Sequence, residues 1–123
     1  MELLSTRHGD TLVLSPRGRI DHAGAEAFKT SLAPHLEGAG PGHPLVLDLG
    51  AVDYIASIGL RALMLASRQA RAQGGTIAVA ALQPLVQEIF EISKFTLVFP
   101  CFPSVAAALA GVAARPDSGA TGR

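Results

Sequence analysis

Tryptophan is absent from this chain of 123 residues, and it has one tyrosine and one cysteine. A lone Cys101 excludes an internal disulfide. Its neighbours Phe99, Pro100, Phe102 and Pro103 are apolar, which fits a packed thiol rather than a nucleophile. Charged residues make up only 16%, and the ten basic and ten acidic side chains cancel to a net charge of zero. No Lys/Arg run marks a nucleic-acid surface, and there is no acidic tail. No apolar run approaches the roughly 18 residues a membrane span needs. The start, Met-Glu-Leu-Leu-Ser-Thr-Arg, lacks the basic opening and long apolar stretch of a signal peptide, so a cytoplasmic location is expected. The histidines His8, His22, His35 and His43 are scattered, without Cys or carboxylates at ligand spacing, so no metal is expected. Residues 38–42 are glycine-rich but lack the Lys-Ser/Thr ending of a phosphate loop. No Gly-x-Ser-x-Gly elbow surrounds Ser57. These absences argue against an enzyme, and no cofactor is expected.

What remains is a single domain by length, with 49% apolar residues to build a core. Residues 2–7 and 11–16 read as strands about the turn His8-Gly9-Asp10. Gly18-Arg19-Ile20 resumes the second strand beyond Pro16. Asp21 is placed to cap a helix over residues 23–37, in which Phe28, Leu32 and Leu36 fall four apart on one face. Pro34 should kink that helix or end it early. Residues 38–42 form an exposed loop. Residues 45–49 are apolar without alternation, as suits a strand covered on both faces. Residues 76–81 read as another such strand. Gln83-Pro84 opens a helix with Leu85, Ile89 and Ile92 toward the core, and residues 95–99 read as a short last strand. Ser104 caps a final helix carrying Val105, Leu109 and Val112. Residues 115–123 are small and polar, and disorder is expected there. Strands alternating with helices predict α/β layering.

The chain turns on residues 44–61, PLVLDLGAVDYIASIGLR. The buried strand is followed by a turn at residues 50–53. Tyr54-Ile55-Ala56 then leads to Ser57, where a helix begins that Gly74-Gly75 stops. Within it Leu60, Leu63, Ser67 and Ala70 form a core stripe, and Arg61, Met64, Arg68 and Arg71 lie on another face. Ser57 stands at the capping position, and a helix mouth favours anions. Two readings follow. Ser57 is a cap that stabilises the helix by about 0.5–2 kcal/mol, or it carries a phosphate that switches a binding surface. Spacing alone does not decide between them.

The run LVLDLGAVDYIASIGLRALM resembles the central signature of the STAS domain, as found in bacterial anti-sigma-factor antagonists. Gly18-Arg19-Ile20-Asp21 upstream and Ile89-Phe90-Glu91-Ile92-Ser93 downstream match further motifs in the same order. The resemblance covers residues 3–112. It implies a mixed β-sheet with helices largely on one face, a domain spanning residues 1–114, and a tail at 115–123. It places the family's phosphorylated serine, two residues before a glycine, on Ser57, with the acidic Asp21 beside it. It implies partner switching. The unphosphorylated protein, a monomer or weak dimer, binds an anti-sigma-type serine kinase, is phosphorylated by it, and is restored by a metal-dependent serine phosphatase. Asp21, His22, Tyr54, Ile58, Leu60, Arg61 and Met64 are the expected partner-facing residues. Two positions depart from the pattern: Ala56 stands where Asp or Ser is common, and Ile58 where the family has Ser or Ala. The alternative is a STAS interaction subunit, never phosphorylated, docked onto a transporter or sensory complex. The missing phosphate loop disfavours a third alternative, a small-ligand or nucleotide-binding module.

Overall fold

The unalternating run at residues 45–49 becomes the centre of a five-stranded sheet. The computed structural model describes residues 3–114, and the expected tail at 115–123 lies outside them. Strand β1 (Leu3–His8) turns through Gly9, at φ 63°, into β2 (Thr11–Pro16). After β3 (Gly18–Ile20) come α1 (His22–Leu36), β4 (Leu45–Asp48), β5 (Val52–Ile55) and α2 (Ser57–Ala72). The chain continues as β6 (Ile77–Ala80), α3 (Pro84–Ile92), a 3-10 turn (Phe95–Leu97), β7 (Cys101–Phe102) and α4 (Val105–Ala114). The sheet order is β1-β2-β4-β6-β7, with β1 antiparallel and the rest parallel. No helix among the described residues is long and apolar enough to cross a membrane.

Burial explains why β4 needs no polar alternation. Leu14, Leu45, Leu47, Ile77 and Val79 face one core, shared with Phe28 and Leu32 of α1, Leu63 of α2 and Phe90 of α3. Val13, Val46, Ala78 and Ala80 face the other way, against Ala108 and Val112 of α4. Three of the four helices described thus lie on one face of a mixed sheet, as the resemblance implies. Each large side chain buried this way contributes about 1.5–3 kcal/mol. Phe90, Phe95 and Phe99 pack as a trio with ring centroids 5.6–6.3 Å apart.

Several elements differ from the sequence reading. Gly18, at φ 96°, breaks the chain away from β2, and β3 pairs instead with β5 in a separate parallel ribbon. Residues 50–53 are therefore not all turn. Val52 and Ile55 are buried while Asp53 is exposed, a strand too short and too acidic to stand out. Residues 95–99 are not a strand. Phe95 and Phe99 both enter the core, Phe99 N–H donates to the Phe95 carbonyl at 3.0 Å, and the last strand falls at Cys101. In α3 the buried residues are Val86 and Phe90. Leu85 and Ile92 face solvent, because the phase of the helix follows the Phe90 anchor. Pro34 does not end α1 early. It sits in the exposed last turn, and the carbonyl it leaves unpaired, that of Thr30, belongs to an exposed residue.

The start of α2 carries the largest correction. Ala56 occupies the capping position in extended conformation, with no side-chain bond, and Ser57 is the first helical residue. The ribbon imposes this: Ala56 N–H donates to the Ile20 carbonyl at 2.9 Å, holding Ala56 as a continuation of β5. Asp21 and Ser104 cap as expected, accepting from Gly24 N–H at 2.9 Å and Ala107 N–H at 3.0 Å. The core stripe of α2 is as expected, with Leu60, Leu63, Ser67 and Ala70 buried. Gly74, at φ 79°, ends the helix. Cys101 is half-buried. Its thiol donates to the Phe99 carbonyl at 3.3 Å, and burial raises its pKa, so little of it is thiolate at neutral pH.

Gly59 is where α2 closes on the ribbon. A Cβ there would stand 2.7 Å from Ile20 Cγ2 and 2.9 Å from Ile55 Cγ1. Gly59→Ala is therefore expected to destabilise the fold by about 1–3 kcal/mol in a denaturant titration. The same titration separates true caps from Ser57. Ser104→Ala is expected to lose about 0.5–2 kcal/mol, whereas Ser57→Ala stays within about 0.5 kcal/mol of wild type.

Candidate functional site at the start of helix α2

The ribbon delivers three short segments to one place. Its rungs pair Arg19 with Tyr54 and Ile20 with Ile55. The next bond, from Ala56 N–H to the Ile20 carbonyl, sets Asp21 alongside Ala56 and one residue from Ser57. Ser57 is exposed, and its hydroxyl has no hydrogen-bond partner among the described residues. The first helical bond runs from Leu60 N–H to the Ala56 carbonyl at 3.0 Å. The amides of Ser57, Ile58 and Gly59 therefore precede the helical ladder, and their partial positive charge favours an anion. No acidic side chain lies in the first turn of α2 to oppose one.

Asp21 has two engagements. One carboxylate oxygen caps α1 through Gly24 N–H, and the other lies 3.8 Å from Arg19 Nε. The Arg19 guanidinium in turn sits 4.6 Å above the Tyr54 ring. Both contacts are partly exposed, so each contributes only about 0–1 kcal/mol. Their effect is to order an Asp21-Arg19-Tyr54 ladder beside Ser57. Arg19 is absent from the residues expected from sequence. The cross-strand pairing with Tyr54 is the signal that identifies it, and that pairing depends on a ribbon the sequence pattern conceals.

The expected partner-facing residues separate by burial. His22 is exposed at the first position of α1, and Tyr54 is half-buried under Arg19. Ile58 is 40% exposed, Arg61 is exposed, and Met64 is half-buried against the core. Leu60 is a correction. Its side chain points into the core with Leu63, so it offers no docking surface. Leu65, 42% exposed, takes its place. Ile58, Arg61 and Leu65 recur at spacings of three and four, so they form one open stripe running away from Ser57. Among the described residues no base is hydrogen-bonded to the Ser57 hydroxyl to activate it as a nucleophile. It is an accessible hydroxyl at an anion-favouring helix start, beside a carboxylate and the open stripe of Ile58, Arg61 and Leu65.

Comparison with known proteins places this geometry. The STAS domain family pattern matches residues 3–108. BtrV of Bordetella bronchiseptica, assigned by name as an anti-sigma factor antagonist, is 36% identical over 110 residues, covering 89% of this chain and 93% of its own. The crystal structure of an anti-sigma factor antagonist from Mycobacterium paratuberculosis superposes with a TM-score of 0.81 at 27% identity, covering 91% of this chain and 93% of that one. SpoIIAA in its unphosphorylated form shares the fold, with a TM-score of 0.73 at 15% identity over 93% of this chain and 98% of its own. The chain belongs to the STAS domain family, and relatives of it there are named anti-sigma factor antagonists.

Proposed function

We propose that this chain is a partner-switching anti-sigma factor antagonist whose switch is Ser57. Unphosphorylated, it binds an anti-sigma-type serine kinase in the cytoplasm through the Ile58, Arg61 and Leu65 stripe, with Tyr54, Met64, Asp21 and His22 around it. The kinase transfers the γ-phosphoryl group of ATP to the Ser57 hydroxyl, and the complex dissociates. A metal-dependent serine phosphatase hydrolyses the phosphoester and restores binding. The chain is a substrate in this cycle and needs no cofactor. The observation that carries the reading is the uncapped, exposed Ser57 hydroxyl at the first residue of α2. The hydroxyl is open to a kinase, and the added phosphate oxygens could accept from the free amides of Ser57, Ile58 and Gly59. SpoIIAA, of the same fold, is known in both unphosphorylated and phosphorylated forms, which supports the same chemistry here.

The energetics separate fold from binding. A phosphate adds about −1.5 to −2 charges at pH 7. The helix start favours an exposed anion by about 0.3–1 kcal/mol, so the domain tolerates it. The partner does not. Docking onto the stripe beside Ser57 would desolvate the anion against Ile58, and Asp21 adds like-charge repulsion, which exposed Arg61, one turn along, offsets only in part. A loss of about 3 kcal/mol weakens binding roughly a hundredfold.

One observation favours the second reading, a STAS interaction subunit docked permanently without phosphorylation. Ile58 places a β-branched, 40% exposed side chain directly after the serine, where a kinase must approach. Such a subunit co-purifies with its partner and carries no phosphate.

Incubation with the cognate kinase and ATP is expected to label wild type and leave Ser57→Ala unlabelled. Undiminished labelling of the alanine variant assigns the phosphate to another serine, among them Ser5, Ser15, Ser31, Ser67, Ser93 and Ser104. Ser57→Asp is expected to melt close to the wild-type temperature yet bind the kinase far more weakly in a calorimetric titration. Equal affinity of the two proteins favours the permanently docked subunit.

A further inference from the structure

Ser67 lies in the middle of α2 and is only 8% exposed, yet its hydroxyl has no hydrogen-bond partner among the described residues. A serine within a helix ordinarily returns its O–H to the carbonyl one turn back. Buried polar groups without partners are rare and need a cause. Ser67 lines a cavity of about 350 Å³ between the second half of α2, the start of β6 and residues 96–100. Arg71, one turn further along α2, lines the same cavity, exposed and with no carboxylate partner among the described residues. Thr76 and Thr96 add two more hydroxyls, neither engaged by another described side chain. No Asp or Glu lines the space. The carbonyl end of α2, which disfavours anions, lies nearby, and the amides of Gln73, Gly74 and Gly75 already occupy the carbonyls of Gln69, Ala70 and Arg71.

We propose that this cavity binds a small oxyanion ligand, a phosphorylated or carboxylated metabolite, with Arg71 as its anchor. The guanidinium presents a planar fork that matches phosphate or carboxylate oxygens. The hydroxyls of Ser67, Thr76 and Thr96 donate to the remaining oxygens, which gives the buried Ser67 O–H the acceptor it otherwise lacks. A volume of about 350 Å³ is in the range of small-ligand sites, about 300–1,000 Å³. Leu97, 82% exposed at the rim, offers apolar contact to the carbon skeleton of the ligand. The site requires no glycine-rich loop, because side chains supply its donors. Ser67 and Arg71 stand ten and fourteen residues after Ser57, about 15 and 21 Å along the helix. The site is therefore distinct from the phosphoacceptor, on the same rigid element.

The test is a nitrogen-15 NMR titration of the full chain with inorganic phosphate, and separately with succinate, each against sodium chloride at matched ionic strength. Saturable shifts are expected at Thr76 and residues 96–99 with at least one of the two anions. Phosphate alone identifies a phosphoryl ligand, and succinate alone a carboxylate. Arg71→Gln is expected to weaken the response roughly tenfold or more, and Ser67→Ala to weaken it while the rest of the spectrum is preserved. The proposal is overturned if neither anion gives a saturable shift, if Arg71→Gln responds like wild type, or if the shifts are confined to residues 57–59.

Discussion

One backbone hydrogen bond fixes the site, the 2.9 Å contact from Ala56 N–H to the Ile20 carbonyl. It is the last rung of the β3–β5 ribbon, and it keeps Ala56 extended for one residue beyond the strand. The helix consequently starts at Ser57 rather than after it, and the serine hydroxyl is left free. The same rung brings Asp21 beside the helix start, and the preceding Arg19–Tyr54 pair orders the flank. Gly59 completes the arrangement, since any side chain there would force α2 away from Ile20 and Ile55.

The domain divides its labour by rigidity. The central strands β4 and β6, buried on both faces, supply much of the stability, and the ribbon outside the sheet supplies the placement. Because the ribbon is short, its register is held by packing: Ile20, Val52 and Ile55 are all buried in the core under α1, α2 and α3. Charge added at Ser57 therefore meets a helix start fixed by buried side chains. Under the proposed function, a phosphate there would therefore act on the partner's side of the interface and leave the fold in place.

The sheet was largely legible in the sequence because burial on two faces leaves an unmistakable apolar run, as at residues 45–49. The face of α2 was legible for a similar reason, with Leu60, Leu63, Ser67 and Ala70 at helical spacing. The ribbon was not. Val52-Asp53-Tyr54-Ile55 alternates over too few residues to be told from a turn, and Gly18 conceals the point where the chain leaves β2. Two misreadings at the site, those of Ser57 and Arg19, follow from that gap. Ser57 reads as a cap only if Ala56 is not a strand residue, and Arg19 becomes visible only once Tyr54 has a partner strand. Leu60 belongs to the core stripe by its spacing and was also placed among the partner-facing residues; the structure keeps only the first reading. The α3 face was misread at Leu85 and Ile92, which recur at helical spacing with Ile89; Ile89 does pack against the core. Phe90 outweighs them through its contacts with Phe95 and Phe99.

The central claim is that phosphate on Ser57 changes affinity without changing structure. The most direct measurement is calorimetric titration of the kinase into enzymatically phosphorylated chain and into the unmodified chain, with the melting temperature of each recorded alongside. The account predicts nearly equal melting temperatures and a dissociation constant roughly a hundredfold larger for the phosphorylated chain. Equal dissociation constants, or weaker binding accompanied by a collapse in melting temperature, would contradict it.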